Sequence, residues 1–136
     1  MTEPISDARK IEIFRRMAQA WHEQDWATCA ELFAPDGVLH SVMLPPVVGR
    51  QTIFERISRL GAPNKRVTLD VQRIGVVDGA LFVQRVDRIV IDGREGSCPS
   101  VAVVEFAGDK IARWSDYHDR NQLARAAGYT AEQASH

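Results

Sequence analysis

The sequence predicts an α+β domain. Helices from the first half pack on one face of a curved, mostly antiparallel sheet built from the second half. Three observations carry this. Apolar residues recur at spacings of three and four in the first 60 positions and alternate in long runs from residue 66 onward. Asp78-Gly79, Asp92-Gly93 and Gly108-Asp109 punctuate those runs, and connections so short make neighbouring strands antiparallel. The chain has 136 residues, enough for one domain with a real core and too few for two, so residues 1–136 are read as one unit. A strongly twisted sheet folded over a helix makes a cone. Its hollow interior is an obvious pocket, and polar groups placed there need a reason.

The first helix starts at Ser6 or Asp7, either of which can cap it. Phe14, Met17 and Trp21 form its apolar stripe, with Arg15, Arg16 and Gln19 opposite. Gln24-Asp25 breaks it, and Asp25 caps a second helix expected to run to Leu32-Phe33, with Trp26, Cys29, Ala30 and Phe33 on its apolar face. Ala34-Pro35-Asp36-Gly37 reads as a strong turn. An extended piece over 38–43 then runs to Pro45-Pro46, and the prolines argue against a central strand there. Gly49-Arg50 opens a third helix with Ile53, Phe54, Ile57 and Leu60 on one side, ended by Gly61-Ala62-Pro63. Four long strands follow, over 66–77, 80–91, 97–107 and 110–118. A short helix is expected around 123–127, capped by Asp119, with a frayed end beyond it.

Composition excludes several function classes. Hydrophobic content is 45% and charged content 26%, ordinary for a soluble globular protein. The net charge of −1 offers neither a nucleic-acid footprint nor a polybasic membrane patch. No apolar run approaches the length of a bilayer span, and the polar N-terminus lacks the apolar core of a secretory signal. Cys29 and Cys98 have no metal-type spacing and form no disulfide framework. They read as buried, inert thiols in a reduced, cytoplasmic setting. No ligand set for a metal is apparent, and no cofactor is expected.

The chemistry concentrates in Arg85-Val86-Asp87. Residues two apart on a strand share a face, so Val83, Arg85, Asp87 and Ile89 project together, apolar at both ends and charged in the middle. Buried charges need partners. The last strand supplies one, since Trp114, Asp116 and His118 also alternate on one face. The expectation is an Asp-Arg-Asp cluster in an apolar cup, with Leu39, Val83 and Trp114 as candidate pocket lining. In the bland alternative, Arg85 and Asp87 form an exposed pair on the outer sheet face, worth little. His40 and His118 read more simply as structural or surface residues than as catalysts, and Trp21, Trp26 and Phe33 as helix-packing core.

Three stretches resemble the limonene epoxide hydrolase family of the nuclear transport factor two-like (SnoaL-like) superfamily. These are Arg85-Val86-Asp87, the run Trp114-Ser115-Asp116-Tyr117-His118-Asp119, similar to the family's W-x-D-Y-x-D, and Leu44-Pro45-Pro46-Val47-Val48-Gly49-Arg50, similar to its L-P-P-x-x-G-R. The order of helices and strands agrees over nearly the whole chain. The resemblance implies a cofactor-independent enzyme that opens a small, mostly apolar epoxide to a vicinal diol in one step. Asp116 would be the general base acting on water, Asp87 the general acid and Arg85 the residue holding both. It also implies a homodimer paired through the outer sheet face. In the family a Tyr, and an Asn two residues later, help hold the water. Counting back from Pro45-Pro46, this chain has Leu39 and Ser41 there. Ser41 can bind water through one hydrogen bond, and Leu39 cannot. Two other readings stay open: an isomerase or cyclase reaction in the same cup, which would want an oxyanion donor near the base, or an apolar-ligand-binding module without catalysis.

Overall fold

The structure is a computed structural model and describes residues 4–126. The first helix, α1 (Asp7–His22), begins where the Ser6 hydroxyl accepts from the Arg9 amide. It buries Ile13, Phe14, Met17, Ala20 and Trp21. The second, α2 (Trp26–Glu31), is capped by Asp25, which accepts from the Thr28 amide and hydroxyl. It stops earlier than expected, because Phe33 has already joined strand β1 (Phe33–Ser41). A two-residue strand β2 (Val47–Val48) precedes α3 (Arg50–Ile57), which tightens into a 3₁₀ turn at Ser58–Leu60. Long strands β3 (Lys65–Val77), β4 (Ala80–Ile91), β5 (Arg94–Ala107) and β6 (Lys110–His118) follow, then α4 (Arg120–Ala126). Asp119 accepts from the Asn121 and Gln122 amides and so caps α4. The frayed end expected beyond it lies outside the described residues.

One six-stranded sheet results, in the order β2-β1-β6-β5-β4-β3. Strands β3 to β6 form the expected antiparallel meander. Asp78 and Asp92 have φ of 51° and 52° and their glycines are also positive, the mirror-image turn that suits the twist of paired strands. The sheet is curved and its inner face is covered by the N-terminal helices, the predicted α+β arrangement. Among the described residues no helix is long and apolar enough to cross a membrane.

Residues 33–41 depart from expectation. The stretch Ala34-Pro35-Asp36-Gly37 is no turn between elements; β1 passes through it as an irregularity. Six positions of β1, Phe33 to Val38, stand opposite only three of β6, Ile111 to Arg113. A side chain at Gly37 would lie 3.0 Å from the carbonyl oxygens of Ala34 and Ile111, so glycine permits this crowding. The extended piece after it does enter the sheet, between β2 and β6. Pro45 and Pro46 lie beyond its end and remove no ladder hydrogen bond. Strand β1 runs parallel to β6, the single parallel pair among the described residues, with Leu39 opposite Trp114 and Ser41 opposite Asp116.

Candidate active site

Strand alternation puts Leu81, Val83, Arg85, Asp87 and Ile89 of β4 on the inner face. Leu81, Val83 and Ile89 are buried, and Arg85 is only 2% exposed. The outer-face alternative for Arg85 therefore fails, and its guanidinium must find its partners inside. It finds two carboxylates. Nε and one terminal nitrogen donate to Asp87 Oδ1 and Oδ2 at 2.7 and 3.1 Å. The two terminal nitrogens donate to Asp116 Oδ1 and Oδ2 at 2.8 and 2.9 Å. The fork is bidentate on both sides, which a planar guanidinium can do and an ammonium cannot.

Arg85 must reach across a whole strand to do this, because β5 lies between β4 and β6. Two strand spacings are roughly 9–10 Å. The inner face of β5 makes room. Cys98 stands opposite Asp87, Ser100 opposite Arg85 and Ala102 opposite Val83. All three are small, and all three are buried. On the far side Ala102 faces Asp116 and Ser100 faces His118. Sequence reading passed over this run, although its spacing of two was visible.

Trp114 does more than line a wall. Its indole Nε1 donates to Asp116 Oδ1 at 2.6 Å. Its ring lies under the Arg85 guanidinium, 5.6 Å from Cζ to centroid. Phe14 meets the ring edge-on, Phe33 stacks on it and Trp21 is tilted against it. Helix α1 and strand β1 thus fix the indole, and the indole fixes Asp116. The aromatic residues assigned to packing do pack, and through Trp114 they also orient the site.

The two aspartates differ in surroundings. Burial lifts the Asp87 carboxyl above its ordinary range; Arg85 opposes that rise and the charge of Asp116 adds to it. Burial acts to lower the Arg85 guanidinium, but Asp116 and Asp87 beside it outweigh burial and keep it protonated. Cys98, next to Asp87 on the ladder, is pushed up to about 11 by burial and then by the charge of Asp87. Cys29 is pushed up to about 12 by burial. Both thiols are buried and stay neutral near pH 7.

A cavity of about 180 Å³ opens beside Asp116, lined by Ser41, Val42, Met43, Asp116, Tyr117 and His118. Ser41 is where the sequence placed it, in register with Asp116. His118, read as structural, also borders this space. Leu39 packs partly buried against the core, and Val83 and Trp114 lie within it; none of the three lines this cavity. His40 takes a structural place: its Nδ1 accepts from Arg113 and its Nε2–H donates to the Leu44 carbonyl, 2.8 Å away, tying down the turn before Pro45. Among the described residues no cluster of three His, Cys, Asp or Glu is arranged to hold a metal ion.

The profile of the SnoaL-like domain family matches residues 14–114. Solved structures with the same fold include an M. tuberculosis LEH-like epoxide hydrolase, 20% identical, with a TM-score of 0.76 over 88% of this chain and 92% of that one. A hypothetical protein with a ketosteroid isomerase-like fold from Catenulispora acidiphila, in complex with trimethylamine, is 21% identical, with a TM-score of 0.77 over 89% and 95%. A putative polyketide cyclase from Xanthomonas campestris is 16% identical, with a TM-score of 0.76 over 88% and 97%. The chain belongs to the SnoaL-like domain family and has the nuclear transport factor two-like fold. Identities this low speak for the fold and not for the reaction.

Proposed function

We propose that this member of the SnoaL-like family is an epoxide hydrolase that converts a small, mostly apolar epoxide to a vicinal diol in one step. One observation carries the reading: a single buried guanidinium is forked between two carboxylates, Asp87 and Asp116, whose surroundings differ. Opening an epoxide leaves a developing alkoxide, and water attacks poorly at neutral pH. An acid is needed at the oxygen and a base at the water. Asp87, its carboxyl raised by burial, is suited to give the proton. Asp116 accepts hydrogen bonds from Arg85 and Trp114 and borders the cavity, as a base facing water should. The water oxygen bonds to a ring carbon, the C–O bond breaks, Asp116 takes the water proton and Asp87 protonates the leaving oxygen. Arg85 orients both carboxylates.

The cavity supports a small substrate. At about 180 Å³ it falls below the roughly 300–1,000 Å³ usual for drug-sized ligands. The isomerase reading is less well supported, since the indole donor nearest the base is spent on the base itself. Self-association through the outer sheet face belongs to the same proposal. Phe82, Val101 and Tyr117 are 40%, 37% and 52% exposed on that side, and Val101 and Tyr117 stand opposite each other on the ladder.

The test is diol formation from a panel of epoxides that includes limonene oxide and cyclohexene oxide, with products resolved on a chiral column. Wild type and Asp116→Asn are run together. Turnover that collapses by about 10²-fold or more in the variant is expected. A folded wild type that yields no diol from any epoxide defeats the proposal, and an enolisable ketone offered to the same preparation then tests the isomerase reading.

A further inference from the structure

We propose that His118 is a catalytic residue of this site, holding with Ser41 the water molecule that Asp116 activates. This rests on the hydrolase reading above and extends it to a residue that the sequence assigned to structure. The argument begins with the water. In the attack, one lone pair goes to carbon and one hydrogen goes to the base. One hydrogen and one lone pair remain, and each needs a partner if the molecule is to be held in a single orientation. A serine hydroxyl and a neutral imidazole can each donate or accept, so together they satisfy both.

The sheet brings these groups together and leaves little else to choose from. Ser41 is directly opposite Asp116 across the parallel β1–β6 pair. His118 is two residues beyond Asp116 on the same strand, so the two share the inner face. All three border one cavity. The other cavity-lining side chains, Val42, Met43 and Tyr117, include two that carry no strong donor or acceptor, and Tyr117 is half exposed, on the opposite face of β6 by alternation. Leu39, opposite Trp114 on the same face as Ser41, has no polar atom in its side chain. Ser100, the small residue opposite His118, keeps the imidazole from being crowded by β5.

Two measurements test this, one of them independent of turnover. In a high-resolution crystal structure of the wild type, a water is expected within hydrogen-bond distance of Asp116, Ser41 and the His118 ring. In kinetics, His118→Phe is expected to lower kcat about tenfold or more, the weight of at least one lost hydrogen bond, with KM for the epoxide within twofold. His118→Gln, which keeps a donor and an acceptor, is expected to recover most of the loss. An ordered water on all three groups with no diol from any epoxide would uphold the water site and defeat the hydrolase reading. Absence of such a water from the imidazole, or a folded His118→Phe with wild-type kcat, would overturn the role of His118. If His118→Phe does not fold, His118→Gln and the wild-type water site still decide the matter.

Discussion

Replacing Arg85 with methionine removes the one positive charge between two inner-face carboxylates while keeping a flexible apolar side chain in the space. Four charge-assisted hydrogen bonds disappear, of 2.7 to 3.1 Å, two on each aspartate. The aspartate side chains are only 14% and 13% exposed, so water compensates poorly. Breaking a buried ion pair by removing one partner costs about 3–5 kcal/mol. For a domain of this size each kcal/mol is worth roughly 3–5 °C, so Tm at pH 7 should fall on the order of 10–20 °C. The pH dependence is the sharper signature. Asp87 is already raised by burial in the presence of Arg85, and without the arginine, which opposes that rise, its carboxyl climbs further. A group raised in the folded state binds protons there that the unfolded chain has released. Stability is therefore lost as pH climbs through the raised values and regained below the unfolded carboxylate range near 4. Urea melts of wild type and Arg85→Met from pH 4 to 8 should show a gap that widens steadily with pH. A gap that is constant or narrows with pH refutes the reasoning, because the lost stability would then come from packing and not from uncompensated charge.

Three further outcomes follow from the same geometry. Diol formation should fall on the alkaline side as pH rises through the raised Asp87 carboxyl, and Asp87→Asn should remove that limb together with about 10²–10⁴-fold of the rate; an unchanged alkaline limb in the variant counts against Asp87 as the acid. Ala102→Leu fills the space under which Arg85 reaches Asp116, and should cost about 1–3 kcal/mol by overpacking while abolishing turnover out of proportion to the unfolded fraction. Val101→Glu places a charge on the exposed outer face, and sedimentation should show dimers giving way to monomers with the helical signal unchanged.

Much of this site was legible because its logic is local. The alternation that put Val83, Arg85, Asp87 and Ile89 on one face needs only a strand, and Asp78-Gly79 and Asp92-Gly93 announced where the strands would turn. What escaped reading was non-local. Nothing near Phe33 says that β1 will lie parallel to a strand that begins 77 positions later. Without that neighbour, Ala34-Pro35-Asp36-Gly37 reads as a turn, and only the β6 carbonyl at Ile111 shows it to be a kink inside a ladder. The indole of Trp114 was placed on the right face, but its N–H direction depends on three aromatic rings from α1 and β1. The tight seat of α4 was also hidden: a side chain at Gly96 would come within 2.6 Å of the Ala126 backbone, so glycine there lets α4 close against β5.

The place of β6 in the sheet has a consequence for how the protein comes into being. Among the described strands it is the last made, yet it lies between β1 and β5 and must be inserted between two strands already synthesised. Until it emerges from the ribosome, β1 has only the two-residue β2 beside it, and Arg85 has Asp87 as its sole carboxylate partner of the pair. A nascent chain stopped short of residue 110 would thus carry half a sheet and an incomplete charge cluster. Pairing ends so distant in sequence is slow relative to forming the hairpins between β3, β4 and β5. The arrival of Asp116 would therefore be a late event in folding, and a pulse-labelling hydrogen exchange experiment should find the amides shared by β1 and β6 protected after those of the meander.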